Sequence, residues 1–258
     1  MNWYLSQVIR ATIWNDGQPE GLMYGKFFVG YLLINSTSSS HQSARELYIV
    51  GFPKKSTSEA SPNKPEVHLY NRENPFWSLT YKKTVMPPKS IREHEIQRRL
   101  IDEIIVDFLD RTYSVVLLCG PPGLGKSMMA ELLAQRLLED HKCESVGFTD
   151  SFCPTDPNDS FTALYELVGP TASKPLVVLL DEIDVIYDQV INGTIQPHKH
   201  MPIMFRSRTD WNKFFDKFDR LRYPHVIIVL TSNRPIRHFE TAMIRAGRFT
   251  IVRELETE

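Results

Sequence analysis

Tyr113-Ser-Val-Val-Leu-Leu-Cys119 followed by Gly120-Pro121-Pro122-Gly123-Leu124-Gly125-Lys126-Ser127 decides how this chain folds. The first seven residues form a continuous apolar run, which suits a strand covered on both faces. The next eight fit G-x-x-x-x-G-K-[S/T], and the residues after them, Lys126–Glu139, read as a helix. Average composition produces such a string by chance in roughly one chain in a hundred of this length, and the strand-loop-helix setting lowers that further. The glycines allow backbone N–H groups to turn inward and cradle a phosphate at a helix N-terminus. Lys126 would then reach the outer phosphate oxygens, and the Ser127 hydroxyl would ligate Mg²⁺.

Downstream, Leu176-Val-Val-Leu-Leu-Asp181-Glu182 is a second buried strand that carries carboxylates out at its C-terminal end. Open α/β sheets bind their ligands at that end. Asp181 is the candidate for holding the Mg²⁺ shell, and Glu182 the candidate for polarising an attacking water. Asp184 reads as a solvated helix start. A third apolar run, His225–Leu230, leads into Thr231-Ser-Asn233-Arg-Pro, where Asn233 can reach a γ-phosphate and its water. Twelve residues after Asn233 come Arg245-Ala-Gly-Arg248, two arginines flanking a glycine.

Between these signals strand and helix patterns alternate. Ser145–Thr149 reads as a strand, Phe161–Val168 as a helix, and Thr209–Phe218 as a helix whose Trp211, Phe214, Phe215 and Phe218 form a core stripe. A short helix and a strand at Phe249–Val252 close the series. Ser90-Ile-Arg-Glu93 has the form of a capping box, opening a helix with Ile91, Ile96, Leu100, Ile104 and Phe108 on one face. The expectation is a three-layer αβα domain with a parallel sheet over residues 86–258. Residues 1–85 read instead as a small β-rich N-terminal domain, with strands in Leu22–Ile34, Glu46–Phe52, Glu66–Tyr70 and Trp77–Val85. Asn35–Ser43 and Pro53–Pro65, rich in Ser, Lys and Pro, read as loops.

Taken together, Gly120–Ser127, Leu176–Glu182, Asn233 and the Arg245/Arg248 pair occur in the order of the AAA+ ATPases. The sequence resembles the AAA subgroup with its second region of homology, over about residues 86–254. The resemblance implies a P-loop NTPase fold, ATP and Mg²⁺ as cofactors, and hydrolysis of ATP to ADP and phosphate. It gives Asn233 the place of sensor 1 and projects Arg245 and Arg248 into a neighbouring subunit's ATP site. The expected partners are therefore copies of the chain itself in a ring, usually a hexamer, and a protein or nucleic-acid substrate that is remodelled or translocated. The β-rich N-terminal part is also similar in layout to the mitochondrial Rieske-protein-translocating AAA ATPases, although those carry a membrane segment. Two alternatives stay open: an ATP-dependent binding or assembly module with little turnover, and an ATPase of DNA replication or packaging.

The departures from the family pattern are equally specific. Asp150–Ser160 lacks the aromatic-aliphatic-Gly pore motif, and Phe152 there reads as a buried residue. The chain stops at Glu258, so the family's helical lid and its sensor 2 arginine are expected to be missing.

Composition excludes other classes. With 30 Lys+Arg and 31 Asp+Glu in 258 residues, the net charge is −1, which rules out a global basic field for nucleic acid or anionic lipid. Three cysteines, Cys119, Cys143 and Cys153, are too few and too scattered for a disulfide framework or a zinc site. His198-Lys-His200 has no third ligand in sight. The apolar run Phe27–Ile34 is too short for a spanning helix, which needs about 20 residues. Met1–Arg10 has no cationic stretch followed by an apolar core, so the expected location is intracellular and cytoplasmic.

Overall fold

The computed structural model describes residues 10–15, 18–25, 28–35, 44–51, 65–73, 80–87 and 93–256, the first four segments as backbone strands only. Contacts divide the chain into two units, Met1–Pro62 and Asn63–Glu258. In the first, β1 (Arg10–Asn15), β2 (Gln18–Gly25), β3 (Phe28–Asn35) and β4 (Ala44–Gly51) form an antiparallel sheet in sequential order. The Ser90 capping box and the loops at 36–43 and 53–64 lie outside the described residues.

The second unit is built on a seven-stranded sheet. Its strands are β5 (Glu66–Glu73), β6 (Thr80–Val85), β7 (Tyr113–Cys119), β8 (Ser145–Thr149), β9 (Leu176–Leu180), β10 (Val226–Ser232) and β11 (Ile251–Glu254), in the order β11-β7-β10-β9-β8-β5-β6. Every pairing is parallel except β5 with β6. The helices are α1 (Glu95–Arg111), α2 (Lys126–Glu139), α3 (Phe161–Val168), α4 (Ile183–Asn192) and α5 (Arg208–Asp219).

β7 and β10 are buried at all seven positions and β9 at all five, which is why their sequences run apolar without alternation. Successive side chains still point to opposite faces. Val116, Leu118, Val177 and Leu179 pack in one core with Ile101, Ile104 and Phe108 of α1 and Met129 and Leu133 of α2. Val115, Leu117, Val178 and Leu180 pack in a second core with Phe161 of α3, Tyr187 of α4 and the aromatic stripe of α5. Two cores separated by one sheet make the expected three layers.

Two features differ from the sequence reading. The helix expected from Ser90 begins at Glu95, with His94 as its N-cap, and the Gln97 side-chain oxygen accepts from the His94 N–H at 3.0 Å. The hairpin β5–β6, read from the sequence as part of residues 1–85, belongs to the large sheet, so the units meet at Pro62/Asn63 and not at 85/86. β5 pairs with β8 from Glu66↔Ser145 to Leu69↔Phe148 and so covers the edge that β8 would present.

A buried carboxylate fastens this hairpin to the segment after β8. Asp159, 2% exposed, accepts from Tyr81 Oη (2.7 Å), Arg72 Nη1 (3.0 Å) and the Cys153 N–H (2.8 Å). Arg72 also pairs with Asp156 at 2.6 Å, and its backbone N–H donates to Ser151 Oγ. Phe152, at 3% exposure, lies edge-on to Phe161 in the core, as the sequence reading expects.

Candidate functional site

Three adjacent strands, β7, β10 and β9, end on the same side of the sheet, and the candidate residues emerge from those ends. The Gly120–Gly125 turn connects β7 to α2. Gly120 (φ +139°), Gly123 (φ +88°) and Gly125 (φ +70°) all occupy backbone conformations that favour glycine. At Gly120 close approach adds to this, since a Cβ would stand 2.4 Å from the Leu255 carbonyl oxygen. At the start of α2 the Met129 N–H donates to Gly125 O at 3.2 Å. Helix geometry therefore leaves the amides of Lys126, Ser127 and Met128 without intrahelical acceptors. Pro121, Pro122 and Gly123 are exposed, so the turn opens to solvent.

Lys126 is 6% exposed and its ammonium is held by the loop itself. Nζ donates to Gly120 O (2.8 Å), Pro121 O (2.7 Å) and Asn233 Oδ1 (3.1 Å). Burial lowers its pKa below the ordinary lysine value, while Asp181, Cys119 and Asp184 pull the other way. Asn233, at the end of β10, thus meets Lys126 from the neighbouring strand, and its N–H donates to Asp184 Oδ1 at 3.4 Å. Asp184 lies in the first turn of α4 but is only 9% exposed, so it is not the solvated helix start that the sequence reading expects.

Asp181 follows β9 directly. Its Oδ1 accepts from Ser127 Oγ (2.9 Å), the Glu182 N–H (3.2 Å) and the Thr231 hydroxyl. Glu182 turns the chain from strand to helix in the left-handed region (φ 50°, ψ 42°) and is exposed. A non-glycine residue there costs on the order of 1–3 kcal/mol, a strain that clusters at functional sites. Ser127, Asp181 and Thr231 form an oxygen-only donor set, hydroxyls beside a carboxylate, which fits a hard divalent cation such as Mg²⁺. Among the described residues no group of three or more His, Cys, Asp or Glu could hold a metal ion, and His198 Nδ1 accepts from the His200 and Met201 N–H groups instead.

Beside the loop, a pocket of about 680 Å³ is lined by residues including Ile96, Gln97, Gly123, Gly125, Met128 and Leu255. The Gln97 amide Nε2 donates to Gly125 O at 3.3 Å and connects α1 to the loop.

The arginine pair belongs to a second cluster, on α5. Arg245 is 60% exposed at its side chain, with Nη2 3.8 Å from Asp216 Oδ1. Arg248, which the sequence reading groups with Arg245 as catalytic, is 8% exposed and directed into its own chain. It donates from Nε to Asp216 Oδ1 (2.7 Å) and from Nη1 to Asn212 Oδ1 (2.5 Å) and Ala242 O (2.6 Å). The hydrogen bonds from Arg248 hold the Asp216 carboxyl below the usual carboxylate range.

Sequence reasoning thus names Gly120–Ser127, Asp181, Glu182 and Asn233, and the fold gathers all of these at the three strand ends. It misses Thr231, Gln97, Asn212 and Asp216. A polar Thr interrupting the apolar strand Val226–Ser232 is a readable signal for the first. Asn212 and Asp216 are four apart on α5, on the flank of its aromatic stripe.

Comparison with known proteins agrees with this geometry. Residues 116–257 match the AAA family, "ATPase family associated with various cellular activities", and the chain belongs to that family. Members of this family use ATP and typically Mg²⁺, and typically form oligomeric rings. The chain is similar to the replication factor C large subunit of Sulfolobus acidocaldarius, 29% identical over 62% of this chain and 32% of that protein. It is also similar to CD-NTase-associated protein 6 of Pseudomonas aeruginosa, 26% identical over 56% of this chain and 53% of that protein. A third relative is 26S proteasome regulatory subunit 10B of Dictyostelium discoideum, 27% identical over 58% of this chain and 36% of that protein. The chain spans a third to a half of the length of these relatives. Among the described residues no helix is long and apolar enough to cross a membrane.

Proposed function

We propose that this chain binds ATP with Mg²⁺, hydrolyses it, and couples the hydrolysis to remodelling or translocation of a macromolecule within a ring of its own copies. The observation that carries this reading is the set of bonds across three strand ends: Lys126 to Asn233, Asn233 to Asp184, and Ser127 and Thr231 to Asp181. A protein that only binds a phosphate group has no need of a strand-end Asn and an acid pair around one lysine.

In this reading the phosphates lie on the free amides at the start of α2, and Lys126 exchanges its loop carbonyls for phosphate oxygens. The nucleoside occupies the pocket beside Gln97, Met128 and Leu255. Ser127 and Asp181 would hold Mg²⁺, with Thr231 fixing the carboxylate, and the bound cation would supply charge neutralisation at the phosphates. Glu182, exposed and aimed by its left-handed turn, accepts a proton from the attacking water, and Asn233 orients that water. Arg245 reaches the nucleotide of the adjacent subunit. Arg248 is a brace within its own chain.

Glu182→Gln is the test. An amide keeps the shape but cannot accept the proton, so phosphate release should fall by about 10²–10⁴-fold while ATP affinity stays at the parental value. Parental turnover in Glu182→Gln would remove the hydrolytic assignment.

A further inference from the structure

The loop that carries Arg245 is fastened to α5 at several points, all within one chain. Trp211 Nε1 donates to Met243 O at 3.3 Å, and the Phe249 ring packs at a tilt against Phe215 with centroids 4.8 Å apart. Between these anchors Arg248 makes a two-pronged contact with Asp216, Nε to Oδ1 at 2.7 Å and Nη2 to Oδ2 at 3.3 Å. Nη1 closes the set on Asn212 and the Ala242 carbonyl. With Nε and both terminal nitrogens engaged, Arg248 has little left of its five N–H donors for a second chain. Asn212 and Asp216 stand at i and i+4, so they share one face of the helix.

Asp216 meets Arg245 as well. The 3.8 Å separation between Arg245 Nη2 and Asp216 Oδ1 is an ion pair without a hydrogen bond, and it leaves most of that guanidinium in solvent. One carboxylate thus grips Arg248 tightly and Arg245 loosely. A phosphate group, with more charge and better acceptor geometry, would draw Arg245 away at small cost and leave Arg248 in place.

We propose that Asp216 is a positioning residue for Arg245. Through Arg248 it fixes the backbone from Ala242 to Phe249, and through its own charge it keeps the Arg245 side chain poised until a neighbour's nucleotide takes it. The inference rests on the reading that Arg245 acts on an adjacent subunit.

The test uses Asp216→Asn, Arg245→Ala and Lys126→Met, each alone and in equimolar pairs, with steady-state ATP hydrolysis as readout. Asp216→Asn alone should lose about tenfold or more in kcat with KM for ATP within about twofold, the pattern of a lost transition-state interaction. Mixed with Lys126→Met it should regain activity, because some interfaces then join an intact Arg245 loop to an intact phosphate loop. Mixed with Arg245→Ala it should stay inactive, because both chains are damaged on the same side.

Parental kcat in Asp216→Asn overturns the proposal. So does absence of rescue by Lys126→Met when Arg245→Ala is rescued by it. If Arg245→Ala itself is not rescued, the shared-site reading falls and takes this inference with it, a result the controls separate from the first two. Asp216→Asn leaves a buried guanidinium unpaired, so the double variant Asp216→Asn/Arg248→Met, which removes that charge, runs beside it. The double variant should show the same low kcat and the same rescue, and parental kcat in it counts against the proposal.

Discussion

Replacing Lys126 by methionine should strengthen the nucleotide-free protein while weakening its hold on ATP. The ammonium is 6% exposed, and its pKa lies below the ordinary 10.5 because burial outweighs the attraction of Asp181 and its other neighbours. A lowered lysine pKa means that the folded state disfavours the charge. Methionine has similar length and no charge, and two of the three acceptors it would abandon belong to Pro121 and Asn233, which are exposed and can turn to water. Replacing buried ionic groups by apolar ones stabilises by about 1–4 kcal/mol when no charge is left behind, and because the buried Gly120 carbonyl loses its donor here the gain is set at the low end, about 1 kcal/mol. For a unit of this size that raises Tm by about 2–4 °C. Loss of a charge-assisted hydrogen bond to phosphate, about 1.5–3 kcal/mol, weakens ATP binding by about 10- to 150-fold. Thermal melts without nucleotide and calorimetric ATP titrations read the two effects separately. The pH dependence has a defined sign: below the lowered pKa the parent carries the full cost, and as pH rises from there toward 10.5 the folded state sheds its proton first. The gap between parent and variant should therefore close with rising pH. A fall in Tm of more than about 2 °C at neutral pH, or ATP affinity within about twofold of the parent, would refute the reasoning.

Two further substitutions probe the same strand ends. Thr231→Val removes one donor to Asp181 at nearly constant shape, so the Mg²⁺ concentration for half-maximal hydrolysis should rise by about 10- to 100-fold, while an unchanged Mg²⁺ titration would deny Thr231 its orienting role. Gly120→Ala places a methyl 2.4 Å from the Leu255 carbonyl at φ +139°, and urea denaturation should register a loss of about 2–4 kcal/mol, with parental stability contradicting the close approach.

What was legible in the sequence follows from how local each signal is. β7, β8 and β9, and helices α2 and α3, have the bounds that their apolar runs and patterns predict. Each of those segments is buried by contacts its own composition anticipates. α4 offers only Asp184, in its first turn, as a start signal, because its N-cap is Glu182 in a left-handed turn and not a Ser, Thr or Asp. The start of α1 was displaced for a related reason: Gln97 caps it, and its amide also serves the phosphate loop. Membership of β5 and β6 in the large sheet was not readable, since the partner of Glu66 is Ser145, far downstream, and alternation says nothing about which sheet a strand joins. Asp181, Glu182 and Asn233 were legible because each ends a buried strand. For Arg248 the sequence offers only its spacing from Arg245, while burial decides which way each arginine faces, and Arg248 is buried against Asp216 and Asn212.

The hairpin β5–β6 has a consequence for how the nucleotide-binding unit can be dissected. A fragment begun at residue 86 would contain all of Gly120–Arg248 and look complete by motif. It would nevertheless expose the backbone of β8 as a bare edge, a template for pairing with other chains. It would also remove Arg72 and Tyr81, leaving the Asp159 carboxylate with only the Cys153 N–H of its three donors. The natural edge, β6, presents the exposed lysines Lys82 and Lys83 to solvent, which discourages such pairing. The smallest piece with a properly finished sheet therefore starts upstream of Glu66, near the division at Asn63.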